Sequence, residues 1–341
     1  MNPWLIALLR FLAALALMLV NGVVMIYMLR KVLARLHLRL GPMDNGPHGA
    51  FQTAFDVLKL LTKEDPTPKA VDRWLYFLAP LIVVVPSLMA YIVLPFSRTW
   101  IIADLPLGLL FMFAVMAVIP LGILAAGWGS NNKWSLVGAM RIVGAQVTYE
   151  VPMLLAALSV VMMARSLSLG DIVRAQSGTV LWIVPRWFVL NVPAFVLFFI
   201  AGLIESGQTP FDLAEAESEL VAGFATEYSS MKFGLLFLSE FSNTFIFSAL
   251  LVTLFFGGWQ APWVSGDWLS AFAGGVLPPL VFMLKTYIVI FFIMTIRGTM
   301  PRIRVDQLLT LGWKFLLPVS LAWVMITAFI IRVGQALGGP R

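Results

Sequence analysis

The sequence predicts an all-α polytopic membrane protein with about eight transmembrane helices and one short amphipathic helix at the membrane interface. The chain has 341 residues, of which 60% are hydrophobic and only 12% are charged, whereas about 25% of the residues of a soluble domain are charged. Its apolar runs reach the roughly 20 residues that a helix needs to cross the hydrocarbon core. Alternating ten-residue strands, which are typical of membrane barrels, do not occur in the sequence. We therefore expect a single transmembrane domain over residues 1–341.

The apolar runs predict the positions of the spans and of the segments between them. The first run is too long for a signal peptide and is not followed by a small-residue cleavage site. Polar segments at about 30–73, 127–146, 205–232 and 297–314 separate the spans on one side. The predicted spans are 4–29, 75–96, 105–126, 147–164, 187–204, 233–256, 275–296 and 315–332.

The distribution of Lys and Arg predicts the orientation. Most of the 23 basic residues fall in those four segments, and such an excess marks the cytoplasmic side of a membrane protein. Both termini are then expected on the other side. The net charge of +6 follows mainly from this bias, so the lipid bilayer is an expected partner and nucleic acid is not.

The residues that usually hold redox centres are almost missing from the sequence. There is no cysteine, and the only histidines are His37 and His48. Iron–sulfur clusters require Cys thiolates, and haem requires an axial ligand that is usually His, Met or Cys. We expect this chain to bind no metal, flavin or haem, so that any electrons are carried by other components.

The first cytoplasmic segment contains the predicted amphipathic helix. It opens with the turn pairs Gly41-Pro42 and Gly46-Pro47. Phe51, Phe55 and Leu58 then follow at helical spacing, with polar residues on the other face, as in a helix that lies in the membrane interface. An ordinary solvated loop helix is the alternative interpretation.

The third polar segment opens with "ESGQTPFDLAEAESELVAGFATEYS" at 205–229, which concentrates negative charge without any Lys or Arg. Asp212 followed by Glu215 resembles a capping box and predicts a helix that starts near Leu213. On that helix Asp212, Glu215 and Glu219 share a face, and ionised carboxylates so spaced repel each other. Stabilisation alone therefore does not explain the stretch, although a solvated acidic face is possible.

Further charges fall within or near the ends of the apolar spans, namely Glu150, Glu240 and Lys285, while Glu205 closes the fifth span. Such residues usually face a bundle interior or a water-filled cavity and mark ion or proton pathways. The residues alone thus indicate an acidic, proton-handling interior that is reached from the cytoplasm. The basic segment 297–314 is typical of a cytoplasmic anchor.

Several long motifs carry a more specific resemblance. "PFDLAEAESELVAGFATEYSSMKFGLLFLSEF" at 210–241 resembles the signature of the H subunit of bacterial respiratory complex I, the counterpart of mitochondrial NADH dehydrogenase subunit 1. "RLGP…GPHGAFQTAFDVLKLLTKED", "AGWGSNNKWSLVGAMR", "FFGGW" and "IRGTMPRIRVDQLLTLGWKFLLPVSL" resemble the same family in the same order. The resemblance covers nearly the whole chain.

The resemblance implies a function. Such a subunit forms most of the quinone chamber of a proton-pumping NADH:quinone oxidoreductase in the bacterial inner membrane, and it couples quinone reduction to proton translocation. Its substrate would be ubiquinone or menaquinone. Its partners would be the iron–sulfur and quinone-site subunits of the hydrophilic arm, and the small membrane subunits next to the antiporter-like subunits.

The resemblance also implies roles for individual residues. The proton relay would consist of Glu150, Glu205, Glu215, Glu217, Glu219, Glu227 and Glu240. The quinone chamber would involve Arg39, Gln52, Asp56, Lys59, Phe211, Asp212 and Phe224.

The sequence departs from the family pattern at a few positions. Met43-Asp44 replaces Asn-Arg, Gln208 replaces Arg, Leu29 replaces Glu, and Ala214 replaces Pro. The first three lie near the implied chamber or its entrance, so they bear on the type of quinone and on the electron donor.

Other functions remain to be separated from this one. A related energy-converting hydrogenase, or a complex I-like enzyme with another donor, would share the region around "FDLAEAE". A stand-alone ion-coupled transporter would show inverted repeats, which the sequence lacks. A purely structural anchor would not need so many carboxylates.

Overall fold

Long apolar helices form the protein in the computed structural model, which describes residues 3–98, 100–180, 184–185, 187–212, 222–261 and 275–336. The helices are α1 Pro3–Leu36, α2 Gln52–Thr62, α3 Arg73–Val93, α4 Gly108–Met116, α5 Val118–Gly129, α6 Lys133–Ala164, α7 Leu169–Ala175, α8 Val192–Glu205, α9 Ser230–Phe255, α10 Leu277–Thr299, α11 Val305–Leu311 and α12 Leu317–Ala336. Short 3₁₀ turns at Pro47–Gly49, Phe188–Leu190 and Gly223–Ala225, a π-helix at Gly312–Leu316 and the paired two-residue strands β1 Thr179–Val180 and β2 Val184–Pro185 complete the described elements. The all-α prediction is confirmed.

Seven segments within these described ranges are long and apolar enough to cross a membrane. Two of them combine consecutive helices: α4 with α5, and α11 with α12. The remaining predicted span, 187–204, contains the 14-residue helix α8, which is about 21 Å long at 1.5 Å per residue. It is short because Phe188–Leu190 forms a 3₁₀ turn, and the α-helix begins only at Val192, with Pro193 in its first turn.

The amphipathic helix predicted in the first cytoplasmic segment is confirmed as α2. Phe51, Phe55 and Leu58 are each more than half exposed. The hydroxyl of Ser230 donates to the carbonyls of Leu60 and Lys63, at 2.9 and 3.0 Å, and so satisfies carbonyls at the end of α2. The location of this helix in the membrane interface stays a prediction.

The central helix of the bundle is α9. Every residue from Phe241 to Phe255 is buried, against neighbours that include α3, α8 and α10. Close packing against α8 depends on Gly202, because a Cβ at that position would collide with the ring of Phe247. The ring of Phe247 on α9 therefore packs directly against the backbone of α8 at Gly202.

The segments predicted to be cytoplasmic meet at one end of the bundle. The amide nitrogen of Asp72 donates to the carbonyl of Gly129 at 3.0 Å, and Lys232 pairs with Asp65 at 2.7 Å. The amide nitrogen of Ile303 donates to the carbonyl of Pro210 at 3.0 Å. All four polar segments thus share one end of the molecule.

The connections at the other end are also held together. The side-chain amide of Gln176 donates to the carbonyl of Thr253 at 2.9 Å, and the indole of Trp323 donates to Asn191 at 2.8 Å. The fold therefore has two ends that match the two sides inferred from the basic residues. Which end faces the cytoplasm stays a prediction.

This arrangement can be tested by labelling, because the chain has no cysteine of its own. We expect Lys69→Cys and Arg304→Cys to react with a membrane-impermeant maleimide only in inverted vesicles, since both positions lie in the basic segments. Arg174→Cys, at the opposite end, should react only in right-side-out vesicles. Labelling of Arg174→Cys and Lys69→Cys from the same side would contradict the topology.

Candidate functional site

A cavity of about 80 Å³ lies between α3, α5, α6, α8 and α9, close to the end of the bundle where the polar segments meet. This volume can hold several water molecules. Most of its wall is apolar, and the polar part comes from side chains of three helices and of the turn after α8. The polar and aromatic lining residues are Gln146, Glu205, Ser206, Phe211, Phe224, Ser239, Glu240 and Asn243.

Three polar atoms in this wall are buried without a hydrogen-bond partner among the described residues. They are Oε2 of Glu205, Oε1 of Gln146 and Oδ1 of Asn243. A buried polar atom without a partner costs about 1–3 kcal/mol, so native structures usually satisfy such atoms with protein or ordered water. All three atoms can accept hydrogen bonds, so the mostly apolar cavity contains several acceptors that bound water or a ligand could satisfy.

Helix α6 positions two residues of this region one turn apart. The side-chain amide of Gln146 donates to the backbone carbonyl of Glu205 at 3.1 Å and joins α6 to the end of α8. Glu150 follows one turn later on the same face of α6. The hydrogen bond of Gln146 turns this face of α6 toward the end of α8, and a relay that includes Glu150 and Glu205 stays a prediction.

Glu240 belongs to a polar network that crosses from α9 to α10. Its carboxylate lies 3.7 Å from the guanidinium of Arg297. Arg297 also donates to Oε1 of Gln208 at 2.9 Å, and the other end of the Gln208 amide donates to Thr244 at 3.1 Å. Arg297 therefore contacts both Gln208 and Glu240 and links α10 to the turn after α8 and to α9.

The residues that follow α8 bring Phe211 and Asp212 to the same region. Phe211 lines the cavity, and the buried carboxylate of Asp212 lies 3.7 Å from Arg302. Phe224, on the far side of the acidic residues in the sequence, lines the cavity too. Glu215, Glu217, Glu219 and the helix predicted to start near Leu213 lie outside the described residues.

The remaining predicted chamber residues form a second group, on α1 and α2. Asp56 pairs with Arg30 at 2.6 Å and accepts from Gln52 at 3.3 Å. Lys59 lies 3.9 Å from the same carboxylate. Arg39 is exposed beyond the end of α1. None of these side chains is part of the lining of the described cavity, so the structure separates the implied chamber residues into two groups.

Glu227 also lies apart from the cavity lining. Its carboxylate accepts a hydrogen bond of 2.7 Å from the side-chain amide of Asn132, at the start of α6. The other members of the predicted relay that the structure describes are Glu150, Glu205 and Glu240. Only Glu205 and Glu240 line the cavity.

Lys285, the basic residue inside a predicted span, has a different environment. Its ammonium donates to the carbonyls of Phe256, Gly258 and Gln260 at 2.7, 3.0 and 2.5 Å and lies over the ring of Trp187 at 4.2 Å. These carbonyls follow the end of α9, where a cation is favoured by the helix dipole. Lys285 therefore caps the backbone carbonyls that follow the end of α9.

The other departures from the family pattern lie near the group on α1 and α2. Asp44 is exposed, and the sulfur of Met43 lies 3.2 Å from the ammonium of Lys31. Leu29 is a half-buried residue of α1. Among the described residues no group of three or more His, Cys, Asp or Glu side chains could hold a metal ion.

Sequence reasoning missed the uncharged and basic members of the site, Gln146, Asn243, Arg297 and Arg302. Gln146 and Asn243 stand within or beside apolar runs, where amides are also rare. A search for every polar side chain of the spans, instead of charged ones alone, would have found both. The pairing of Arg297 and Arg302 depends on tertiary contacts.

The chain is similar in sequence to a known family and to several known proteins. Residues 9–328 match the family model described as NADH dehydrogenase. The chain is 45% identical over 324 residues to the H subunit of the NADH-quinone oxidoreductase of Carboxydothermus hydrogenoformans, with 94% of this chain and 88% of that protein covered. The protein of the same name from Dehalococcoides mccartyi is 43% identical over 315 residues, with 92% and 84% covered. The one from Rubrobacter xylanophilus is 43% identical over 300 residues, with 88% of each chain covered.

The environment of Lys285 predicts a role in stability. Lys285→Met should destabilise the protein by about 1–3 kcal/mol for each carbonyl that is left without a donor. Lys285→Arg should preserve part of the stability because its guanidinium can still donate. The measurement is the melting temperature of the purified complex in detergent, and an unchanged value for Lys285→Met would contradict the capping role.

Proposed function

Because the chain belongs to the NADH dehydrogenase family, we propose that it forms the quinone-binding chamber of a proton-pumping NADH-quinone oxidoreductase and couples quinone reduction to proton translocation. The observation that carries the proposal is the cavity in which the buried carboxylate of Glu205 and the half-buried carboxylate of Glu240 lie beside Phe211 and Phe224. The chain is then a membrane subunit of a larger enzyme complex.

The lining of the cavity suits the delivery of protons to a quinone. At about 80 Å³ the cavity is smaller than the roughly 300–1,000 Å³ of pockets that enclose drug-sized ligands, so in the proposal it holds water and carboxylates next to the bound quinone. Reduction of a quinone to a quinol consumes two electrons and two protons. In the proposal a redox centre of a partner subunit supplies the electrons, and carboxylates of this chain exchange the protons. Carboxylates can do so where water or another titratable group lies within hydrogen-bonding reach.

The proposed proton path leads through Glu205 and Glu150 on one side and Glu240 on the other. Support comes from the position of Glu150 on the face of α6 that Gln146 joins to the end of α8, and from the acceptor atoms of Gln146 and Asn243 that have no partner among the described residues. Water bound to those acceptors would connect the carboxylates. Glu215, Glu217 and Glu219 complete the proposed relay on the basis of sequence.

The group on α1 and α2 is proposed as the entrance for the quinone. The exposed side chains of Phe51, Phe55 and Leu58 give α2 an apolar face, along which an isoprenoid tail could pass from the bilayer. The ion pair of Arg30 with Asp56 fixes the other face of α2 against α1. Arg39, Gln52 and Lys59 would then contact the quinone as it enters.

The proposed partners follow from the same arrangement. The end of the bundle where the four polar segments meet would bind the iron–sulfur and quinone-site subunits of the hydrophilic arm. The outer helices α1 and α12 have mainly exposed apolar surfaces, which would contact lipid and the small membrane subunits next to the antiporter-like subunits. The complex would lie in the bacterial inner membrane.

Substitution of Glu205 tests the proposal directly. Glu205→Gln keeps the shape and the hydrogen bonding of the side chain but cannot exchange a proton. We expect quinone reduction and proton translocation to fall together by about a hundredfold or more, because general acid–base catalysis typically contributes at least roughly that factor. Both rates are measured in inverted vesicles that contain the assembled complex.

The matched control for that experiment is Glu64→Gln, which removes an exposed carboxylate on the connection between α2 and α3. It should retain both rates, because surface substitutions usually change stability by less than about 0.5 kcal/mol. Wild-type reduction and pumping in Glu205→Gln would refute the proposed role of the cavity.

Gln208 gives a second test, which concerns the quinone itself. Gln208→Arg would place a second guanidinium next to Arg297 and so displace it from Glu240. We expect the apparent KM for quinone to change severalfold. Asp44→Arg, which reverses the charge of an exposed residue near α2, should act through the entrance instead. If both variants have the same apparent KM for quinone as the wild type, there is no reason to place Gln208 and Asp44 at the chamber.

A further inference from the structure

Glu227 differs from the other carboxylates of the acidic stretch in what it contacts. Its Oε1 accepts a hydrogen bond of 2.7 Å from Nδ2 of Asn132. The other end of that amide, Oδ1, accepts from the backbone amide of Trp134 at 3.0 Å and caps the start of α6. The two hydrogen bonds fix the orientation of the Asn132 amide, because only its nitrogen can donate to Glu227.

The backbone around Glu227 is held from a second direction. The hydroxyl of Tyr76, on α3, donates to the carbonyl of Glu227 at 2.8 Å. The hydroxyl of Tyr228 donates back to the carbonyl of Tyr76 at 3.2 Å, and the two rings stack with their centroids 4.4 Å apart. The residues on either side of the Glu227 carbonyl are therefore fixed against α3, while the carboxylate is fixed against α6.

The same segment forms part of the cavity wall. The hydroxyl of Ser135 donates to the carbonyl of Phe224 at 3.0 Å. Gly138 approaches the backbone so closely that a Cβ there would lie 2.9 Å from the Cα of Gly223. Phe224 itself lines the cavity. Residues 222–229 thus connect the start of α6 to the wall of the proposed chamber.

We propose that Glu227 is a positioning residue that holds Phe224 and the cavity wall against the start of α6, and that it is not a proton carrier of the relay. This inference rests on the proposed function. An amide nitrogen neither accepts nor releases a proton in the working range, so the Asn132 amide that contacts Oε1 of Glu227 cannot pass a proton on. Glu205 and Glu240, by contrast, line a cavity that can hold water.

The first test is Glu227→Gln in the complete complex. Its amide oxygen can accept the same hydrogen bond from Asn132, so assembly, the quinone reduction rate and the number of protons translocated per quinone should equal those of the wild type. An assembled Glu227→Gln complex that reduces quinone without pumping would overturn the proposal. Failure of this variant to assemble would overturn it as well.

The second test exchanges the donor and the acceptor. Asn132→Asp alone places two carboxylates at hydrogen-bonding distance, and we expect about tenfold less assembled complex, as for loss of a hydrogen bond to a charged group. Asp caps a helix about as well as Asn, so the cap of α6 is kept. The double variant Asn132→Asp/Glu227→Gln restores a donor and an acceptor with exchanged roles and should recover assembly and pumping.

The double variant separates the positioning role from the proton-carrier role. A Gln at position 227 cannot exchange a proton, whether residue 132 is Asn or Asp. Recovery supports the positioning role, and lack of recovery overturns it. Glu205→Gln, measured in the same series, tests the relay on its own. If Glu205→Gln pumps normally, the proposed function fails, whereas the exchange at positions 132 and 227 still decides the role of Glu227.

Discussion

The fold depends on one constraint: within a bilayer every backbone polar group must find its partner inside the chain. Helix α9, which is buried throughout its apolar half, shows how the polar side chains obey the same rule. The hydroxyls of Ser242, Thr244, Ser248 and Thr253 each donate to the carbonyl four residues earlier. These hydroxyls of α9 are thus satisfied within the helix itself, whereas Gln146, Glu205 and Asn243 each present an acceptor without a partner among the described residues to one shared cavity.

The same constraint separates two kinds of charged residue in the spans. Lys285 satisfies three carbonyls beyond the end of α9, so its charge stabilises a turn and needs no further role. Glu205 is buried with one carboxylate oxygen that has no partner among the described residues. A charge in a span is therefore not by itself a sign of transport. What distinguishes the two residues is whether the surrounding chain completes their hydrogen bonds.

Most of the fold could be predicted from the sequence because span length and apolar runs are local properties. The short length of α8 could not be predicted, because it depends on the residue at which the turn Phe188–Leu190 ends and the helix begins. The carboxylates of the site were predicted from their rarity in apolar sequence and from the family resemblance. The hydrogen bond between Gln208 and Arg297 was not predicted, since it joins residues that lie 89 positions apart in the sequence. The family resemblance also assigned Glu227 to the relay, and the sequence could not show that its carboxylate accepts a hydrogen bond from Asn132.

Helix α6 links these features along a single rigid element. Its first turn binds Glu227 through Asn132, its middle presents Gln146 to the cavity, and Tyr149 donates to the carbonyl of Leu308 on α11 at 2.5 Å. The adjoining π-helix packs against the same turn of α6, where a Cβ at Gly312 would collide with Thr148. Helix α6 therefore joins the cavity to the segment around Glu227 at one end and to the irregular start of the last span at the other.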